Sequence, residues 1–224
     1  NRTDGISLTR GDEHKMMIAQ LNRVIEYLEL LPLTITTAEN IEADDVIGYS
    51  AKHVFKDKVT IMSTDKDFLQ LVDDRISVWS PTKKKMYDQE RILEEYGISS
   101  TNFLLFRTMD GDKSDGIPGI KGAGIKTLLK LFPWLESPHK FTIEDVLKSA
   151  ESKKKQFKLC EVISNSSDQL LLNKKLMDLD EINISGSSKL KIQEICGNPI
   201  QRLVKHIFQK KFLEDKLYTA LPNL

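Results

Sequence analysis

The most informative segment of this sequence is residues 111–127, which run GDKSDGIPGIKGAGIKT. The apolar residues Ile117, Ile120 and Ile125 alternate with glycines, as a packed hairpin between two helices requires. Glycine lets the backbone approach a ligand closely, and free amides at the start of the following helix attract anions. The segment therefore predicts a helix-hairpin-helix that holds a nucleic-acid backbone without contacting bases, with a glycine-rich linker as the alternative. We call residues 111–124 the hairpin.

Charge is distributed unevenly along the chain, although the net charge of the whole chain is zero. The segment Glu39–Arg75 has nine acidic and five basic residues, a net charge of −4. The segment Gly116–Cys160 has nine lysines and four acidic residues, a net charge of +5. An acidic segment followed by a basic one predicts a cation site beside a phosphate-binding surface. The predicted contacts to nucleic acid in the basic part are Gly119, Lys121, Gly122, Gly124, Lys126, Lys153 and Lys154.

Three clusters of acidic residues precede or open the hairpin. They are Glu42, Asp44 and Asp45; Asp65 and Asp67; and Asp112 and Asp115. Singly, each is also explained by a helix N-terminus or a turn. If the clusters converge, neighbouring carboxylates at about 4 Å repel by about 4 kcal/mol per pair, so a compensating cation is expected. Oxygen ligands without paired histidines favour Mg²⁺ or Mn²⁺ over zinc.

The order of predicted elements indicates an α/β fold with a mainly parallel central sheet, followed by a helical helix-hairpin-helix region. Before residue 100 the predicted elements are helices 14–31 and 42–55 and strands 34–36, 59–62 and 76–79. Later predicted helices are 101–109, 125–132, 142–149, 152–163 and 200–218. Thr142 with Asp145 three residues later is typical of a helix N-cap. Asp65 and Asp67 follow a strand, where sites form in parallel sheets.

Composition places the chain among globular proteins, because 40% of its 224 residues are hydrophobic and 29% are charged. No apolar run is long enough for a transmembrane helix. Cys160 and Cys196 are expected to be free thiols in a reducing cytoplasm. The pattern changes near residue 100. We expect an α/β core over residues 1–100, the helix-hairpin-helix region over 101–165 and a C-terminal helical segment over 166–224.

Three motifs together resemble one protein family. Residues 42–45 are EADD before a helix, residues 63–68 are STDKDF after a strand, and residues 111–124 are GDKSDGIPGIKGAG. Their order and spacing are similar to the 5′ nucleases, which include flap endonucleases, phage 5′ exonucleases, the phage-type ribonuclease H and the N-terminal nuclease of bacterial DNA polymerase I. The resemblance covers the chain from Asn1 to Phe132 well and the remainder weakly. It implies a PIN-like 5′ nuclease fold.

The resemblance also implies a reaction and its site. Two Mg²⁺ ions, which Mn²⁺ can replace, would support hydrolysis of phosphodiesters near a 5′ end. Glu42, Asp44 and Asp45 would help to hold the first ion. The second would be held or hydrated by Asp65, Asp67, Asp112 and Asp115. The implied role is the removal of RNA primers and 5′ flaps during replication, with 5′-flap or 5′-ended DNA and RNA/DNA hybrids as substrates and replication proteins as further partners. We expect a monomer in a prokaryotic or phage-infected cytoplasm, with no membrane partner.

The N-terminal part of the family pattern has no complete counterpart in this sequence. Family members begin with a strand that carries a metal aspartate, and a second aspartate follows before a basic segment. We therefore expect catalysis to require residues preceding Asn1. Arg2, Arg10 and Lys15 would belong to the far side of a helical arch and contact phosphates of the single-stranded 5′ end.

Two alternatives remain from the sequence. One is a DNA-junction-binding module that is catalytically incomplete. The other is a phosphatase of the haloacid dehalogenase type, because Asp65 and Asp67 after a strand imitate its nucleophile motif. That motif has Thr or Val where Leu69 stands, and it offers no function for the hairpin.

Overall fold

The computed structural model describes residues 10–182, 184–217 and 219, which fall into two units. One unit contains the described residues up to Thr37 and those from Glu194 onward, and the other is Ala38–Gln193. This division differs from the predicted one, since residues 100 and 165 both lie inside the second unit. The reason is that one core of buried side chains continues from Ala51 to Leu179 across both positions.

The second unit contains a sheet of three strands, β1 Val59–Met62, β2 Ile76–Ser80 and β3 Lys85–Tyr87. Their order is β1-β2-β3. The β1–β2 pair is parallel and the β2–β3 pair is antiparallel. The sheet in the described residues is therefore small and mixed, and the predicted mainly parallel central sheet is not confirmed. The missed strand, β3, follows a turn in which Lys84 has a positive φ of 52°.

The predicted strand at residues 34–36 is wrong, because these residues form no strand in the structure. Their β-branched side chains favour an extended backbone, but a strand also needs a neighbour to pair with. The predicted strands at residues 59–62 and 76–79 are confirmed, since alternate side chains such as Ile61, Ile76 and Val78 are buried in the core. Met62 pairs with Trp79 near the carboxyl ends of these parallel strands, and the segment that carries Asp65 and Asp67 follows directly after β1.

The rest of the second unit consists mainly of short helices. They are α2 Ala43–Tyr49, α3 Gln89–Tyr96, α4 Phe103–Asp110, α5 Ile125–Leu131, α6 Ile143–Lys153, α7 Lys158–Ser164 and α8 Ser167–Met177. A π-helical turn, Ser50–Val54, continues α2, and 3₁₀ turns cover Lys66–Leu71, Ser100–Asn102 and Pro133–Glu136. The predicted cap of α6 is confirmed, because the Thr142 hydroxyl accepts from Asp145 N and the Asp145 carboxylate accepts from Thr142 N.

The predicted lysine-rich helix over residues 152–163 is two helices. α6 ends at Lys153 and α7 begins at Lys158, with Phe157 in an extended conformation between them. The break turns the chain so that Cys160 and Ile163 of α7 are buried in the same core as Ala150 of α6. Tertiary burial has therefore overridden the helical propensity of the intervening lysines.

The first unit is built from α1 Arg10–Leu28 and α10 Lys205–Glu214, with α9 Gly186–Gly197 spanning the boundary between the units. Tyr27 of α1 packs edge-on against Phe208 and Phe212 of α10. Its hydroxyl donates to Asp215 Oδ2 over 2.6 Å. The predicted helices 14–31 and 200–218 thus correspond to α1, which begins and ends earlier, and to a shorter α10. No helix in the described part of the chain is both long and apolar enough to cross a bilayer.

The base of the hairpin is closed by direct contact between backbones. Asp112 N donates to Ile117 O over 2.9 Å and Ile117 N donates to Asp112 O over 2.7 Å. A Cβ added at Gly119 would lie 1.8 Å from Asp110 O, so only glycine fits there. By contrast, nothing lies within 4 Å of a Cβ added at Gly124. Gly119 was predicted as a contact to nucleic acid. Its close approach to the Asp110 backbone is by itself a reason for glycine at this position.

These two glycines make a matched pair for measuring stability. Gly119→Ala forces two backbone segments apart, and we expect it to lower the free energy of unfolding by at least about 1–3 kcal/mol. Gly124→Ala meets open space at an ordinary backbone conformation, so its effect should stay within about 0.5 kcal/mol. Urea unfolding of both variants measures the difference. Equal stability of the two variants would contradict the described closure of the hairpin.

Candidate metal centre and nucleic-acid interface

Three carboxylates from two distant parts of the sequence meet at the start of the hairpin. One oxygen each of Asp67, Asp112 and Asp115 lies within 4.8 Å of the other two. Asp67 lies in the 3₁₀ turn that follows β1, where Asp65 accepts a hydrogen bond from Asp67 N over 2.8 Å. Asp112 and Asp115 follow the end of α4, where Gly111 turns the chain with a φ of 75°. We call these three residues the carboxylate cluster.

Arg107 of α4 joins two members of the cluster. Its Nε donates to Asp67 Oδ1 and its Nη2 donates to Asp112 Oδ2, each over 2.5 Å. Its side chain is only 7% exposed, and Nη1 donates to Gly111 O over 3.2 Å. Sequence reasoning missed this residue. The available signal was one arginine in the otherwise apolar run FLLFR, five residues before Asp112.

Burial and hydrogen bonds shift the pKa values of the cluster's carboxylates in opposite directions. Burial raises the pKa of Asp67, and the hydrogen bond from Arg107 offsets this only in part. The hydroxyl of Ser114 is the main cause of a lowered pKa for Asp112, with further hydrogen bonds from Ser114 N and Arg107. Ser114 Oγ and N both donate to Asp112 Oδ1, over 2.5 and 2.7 Å. The chain therefore keeps Asp112 ionised and holds Asp67 beside it at a cost in solvation.

The cluster fits a hard divalent cation. All three donors are carboxylate oxygens, which Mg²⁺ and Mn²⁺ prefer. Ligands at about 2.0–2.1 Å on opposite sides of Mg²⁺ are about 4 Å apart, so a spread of up to 4.8 Å needs only small movements. Arg107 engages one oxygen each of Asp67 and Asp112, which leaves the second oxygen of Asp67 outside this bridge.

The other four predicted metal ligands lie outside the cluster, as judged from the residues that the structure describes. Asp65 caps the 3₁₀ turn before Asp67. The remaining three, Glu42, Asp44 and Asp45, line a separate cavity. The same cavity is also lined by Lys174, Lys175, Asp178 and Glu181. Burial, then the charges of Asp44 and Glu42, raise the pKa of Asp45. Glu42, Asp44 and Asp45, which we call the second acidic group, therefore repel one another, and a bound cation would reduce this repulsion.

The predicted contacts to nucleic acid fall into distinct environments. Lys121 and Lys126 are exposed, Gly122 has a φ of 92°, and Gly124 is the N-cap of α5 with open space in front of it. Lys153 instead donates to Leu131 O at the end of α5, and its ammonium lies 5.7 Å from the ring of Phe132. The Lys153 ammonium is thus bonded to the backbone of α5, a contact between distant segments that the sequence could not indicate.

The four remaining predicted contacts are Lys154, Lys15, Arg2 and Arg10. Lys154 is exposed and pairs with Glu151 one turn earlier. Lys15 is exposed on α1. Arg2 and the side chain of Arg10 lie outside the described residues.

Comparison with known proteins gives consistent matches. Residues 7–97 match the family described as 5'-3' exonuclease, N-terminal resolvase-like domain. A 5'-3' exonuclease of Buchnera aphidicola is 31% identical over 210 residues, covering 89% of this chain and 71% of the relative. A 5'-3' exonuclease of Aquifex aeolicus is 29% identical over 205 residues, covering 89% and 68%. DNA polymerase I of Bacillus subtilis is 32% identical over 179 residues, 75% of this chain but 20% of the polymerase.

Solved structures of a bacteriophage T5 nuclease have the same fold. The 5'-exonuclease with bound zinc superposes with a TM-score of 0.64 at 20% identity, covering 93% of this chain and 71% of the other. The flap endonuclease in a complex with DNA and metal ions gives a TM-score of 0.64 at 21% identity, covering 93% and 72%. The likeness at this identity concerns the fold, which is that of the PIN-like 5′ nucleases.

The bridge made by Arg107 predicts a link between stability and divalent cations. Arg107→Gln leaves the buried Asp67 carboxylate and the half-buried Asp112 carboxylate without the guanidinium that pairs with both. We therefore expect the free energy of unfolding to fall by about 3–5 kcal/mol in metal-free buffer. Mn²⁺ should restore more stability to this variant than to the wild type, because it compensates the same charges. Urea unfolding with and without Mn²⁺ measures both effects.

The matched control is Arg91→Gln, which breaks an exposed pair with Glu94. This variant should lower the free energy of unfolding by less than about 1 kcal/mol, and Mn²⁺ should stabilise it as much as it stabilises the wild type. If Arg107→Gln lost the same stability with and without Mn²⁺, its carboxylates would not form the cation site.

Proposed function

The chain belongs to the 5'-3' exonuclease family, and from this premise we propose that it is a structure-specific 5′ nuclease that hydrolyses phosphodiesters in DNA. The observation that carries the proposal is the meeting of Asp67, Asp112 and Asp115 within 4.8 Å at the entrance of the hairpin. A site for cations and a surface for phosphates are thereby adjacent in the chain. The family membership is at odds with a phosphatase of the haloacid dehalogenase type.

We further propose that Mg²⁺ is the natural cofactor and that Mn²⁺ can replace it. The carboxylate cluster would hold one ion and the second acidic group, Glu42, Asp44 and Asp45, would hold the other. Asp65 would act by fixing the turn that presents Asp67. Two bound ions supply a water of lowered pKa and neutralise charge that develops on the phosphate in the transition state.

The residues of the chain itself orient the substrate and the ligands. Arg107 holds Asp67 and Asp112 in place before a cation arrives. The backbone amides near Gly124, with Lys121 and Lys126, would hold phosphates of the duplex. These contacts carry no base information, so the protein would recognise the shape of a junction and not its sequence. Lys15, Arg2 and Arg10 would contact phosphates of the single-stranded 5′ end, and Lys154 those of the duplex.

The substrates proposed are DNA with a 5′ flap or a free 5′ end and RNA/DNA hybrids. The relatives include 5'-3' exonucleases and DNA polymerase I, which support a function in DNA replication such as primer removal. We propose that the protein acts as a monomer, with replication proteins as further partners.

Neutralising the cluster tests the reaction directly. Asp67→Asn and Asp115→Asn should each reduce cleavage of a 5′-flap substrate in Mg²⁺ by at least about 100-fold, since the charge that holds the cation is lost. Affinity for the same DNA in Ca²⁺ should change little. The control is Asp74→Asn, an exposed aspartate outside the site, which should cleave like the wild type.

Two results would overturn the assignment. A full-length wild-type protein, including any residues that precede Asn1, that binds junctions in Mg²⁺ without cutting any of them would favour a DNA-junction-binding module. Variants of Asp67 and Asp115 that cut at the wild-type rate would remove the cluster from the reaction.

The hairpin is tested by filling the open space at Gly124. Gly124→Val adopts the observed backbone, φ −70° and ψ 154°, without strain, so the variant should fold. Its side chain should keep phosphates away from the α5 amides and weaken binding of all duplex sequences by about tenfold, or about 1.4 kcal/mol. Fluorescence anisotropy with several unrelated duplexes measures this. A loss that depended on sequence, or no loss, would contradict the hairpin as the phosphate contact.

A further inference from the structure

Three side-chain amides connect α8 with the segments that carry the carboxylate cluster. Asn173 and Gln169 of α8 bond to the hairpin and to α4. Gln70, in the 3₁₀ turn that contains Asp67, bonds to the backbone at the end of α8. Both segments of the cluster are therefore tied to the same helix, although neither belongs to it.

Asn173 makes the central connection. Its side chain is buried, at 1% exposure, and its Nδ2 donates to Thr108 O and to Pro118 O, each over 2.9 Å. Thr108 lies in the last turn of α4, where carbonyls lack partners within the helix. Pro118 lies on the other side of Asp112 and Asp115 in the chain. A single amide group thus joins the two ends of the loop that carries both carboxylates.

Further hydrogen bonds fix the position of Pro118 and link it to Asp112. Gln169, one turn before Asn173, donates its Nε2 to the same Pro118 O over 2.7 Å. Ile117, next to Pro118, pairs with Asp112 in both directions. A displacement of Pro118 would therefore move Asp112 directly.

The C-terminal end of α8 is bonded to the segment that carries the third carboxylate, Asp67. Gln70 Nε2 donates to Met177 O over 2.8 Å, and Leu179 N donates to Gln70 Oε1 over 3.0 Å. Gln70 lies one helical turn after Asp67 in the same 3₁₀ segment. α8 therefore spans from the segment of Asp67 to the loop of Asp112 and Asp115.

We propose that Asn173 is a positioning residue for the nuclease reaction, which sets Asp112 and Asp115 against Asp67 and keeps the hairpin in register with the cluster. The inference rests on the proposed function. Asn173 itself touches neither substrate nor reacting atoms in this scheme. It acts through the Thr108 and Pro118 carbonyls, and a displacement of only about 1 Å at such a site costs about 100-fold in rate.

Asn173→Asp is the sharpest substitution, because it keeps the shape and removes both N–H donors. The aspartate would place an acceptor against two carbonyls, so the loop should move away from α8. The matched control is Asn165→Asp at the exposed end of α7, which touches neither α4 nor the hairpin loop in the described contacts. Gln169→Ala is a second, milder variant, which removes one of the two donors to Pro118 and leaves Asn173 in place.

The experiment measures three quantities on the full-length protein, including any residues that precede Asn1. They are the affinity for Mn²⁺ by titration without DNA, the affinity for a 5′-flap DNA in Ca²⁺, and the single-turnover cleavage rate in Mg²⁺. For Asn173→Asp we expect Mn²⁺ affinity and cleavage each to fall about 10- to 100-fold, as for the loss of a group that orients a metal ligand. DNA affinity should change much less than either. Gln169→Ala should lower Mn²⁺ affinity and the cleavage rate by a smaller factor. Asn165→Asp should match the wild type in all three quantities.

The possible failures are distinguishable. If the wild type neither binds Mn²⁺ nor cleaves the flap, the proposed function fails. If the wild type does both, and folded Asn173→Asp equals it in Mn²⁺ affinity and rate while losing only thermal stability, Asn173 is structural and the inference is overturned. If Asn173→Asp does not fold, Gln169→Ala decides the matter, because unchanged Mn²⁺ affinity and rate in that variant would overturn the inference as well.

Discussion

A buried guanidinium shared by two carboxylates is the interaction on which the site depends. Arg107 holds Asp67, which follows a strand, against Asp112, which follows a helix, with two contacts of 2.5 Å. Removing three charged groups from water costs several kcal/mol per ion, and only close geometry and further hydrogen bonds compensate for this. The arrangement keeps carboxylates from distant segments together when no cation is bound. A bound divalent cation would then replace repulsion between the acids by attraction.

The placement of the hairpin follows from the same region of the chain. α4 carries Arg107 and ends one residue before Gly111, where the chain turns back so that Gly119 touches the Asp110 carbonyl. Because these contacts are between backbones, the hairpin has little freedom relative to the cluster. A phosphate held at the hairpin is therefore held near the carboxylates, and positioning of this kind accounts for much of catalysis in phosphodiester hydrolysis. The amide of Asn173 closes the same loop from the side of α8.

Sequence patterns predicted the parts of this structure that depend on local rules. Strand 59–62, the cap at Thr142 and the end of α4 at Asp110 all follow from periodicity, capping and glycine placement. The sequence did not reveal Arg107, because its partners are 40 residues before it and 5 after it. Nor did it predict that residues 34–36 lack a strand partner. Such features depend on contacts between distant segments, which periodicity does not report.

The central claim is that Asp67, Asp112 and Asp115 form one cation site that Arg107 preorganises. Crystals of the protein soaked in MnCl₂, with anomalous diffraction recorded near the manganese edge, test it most directly. The account predicts an anomalous peak within about 2.0–2.6 Å of carboxylate oxygens from Asp67 and from at least one of the other two. A fully occupied peak elsewhere, with the cluster still bridged by Arg107 and free of manganese, would contradict it.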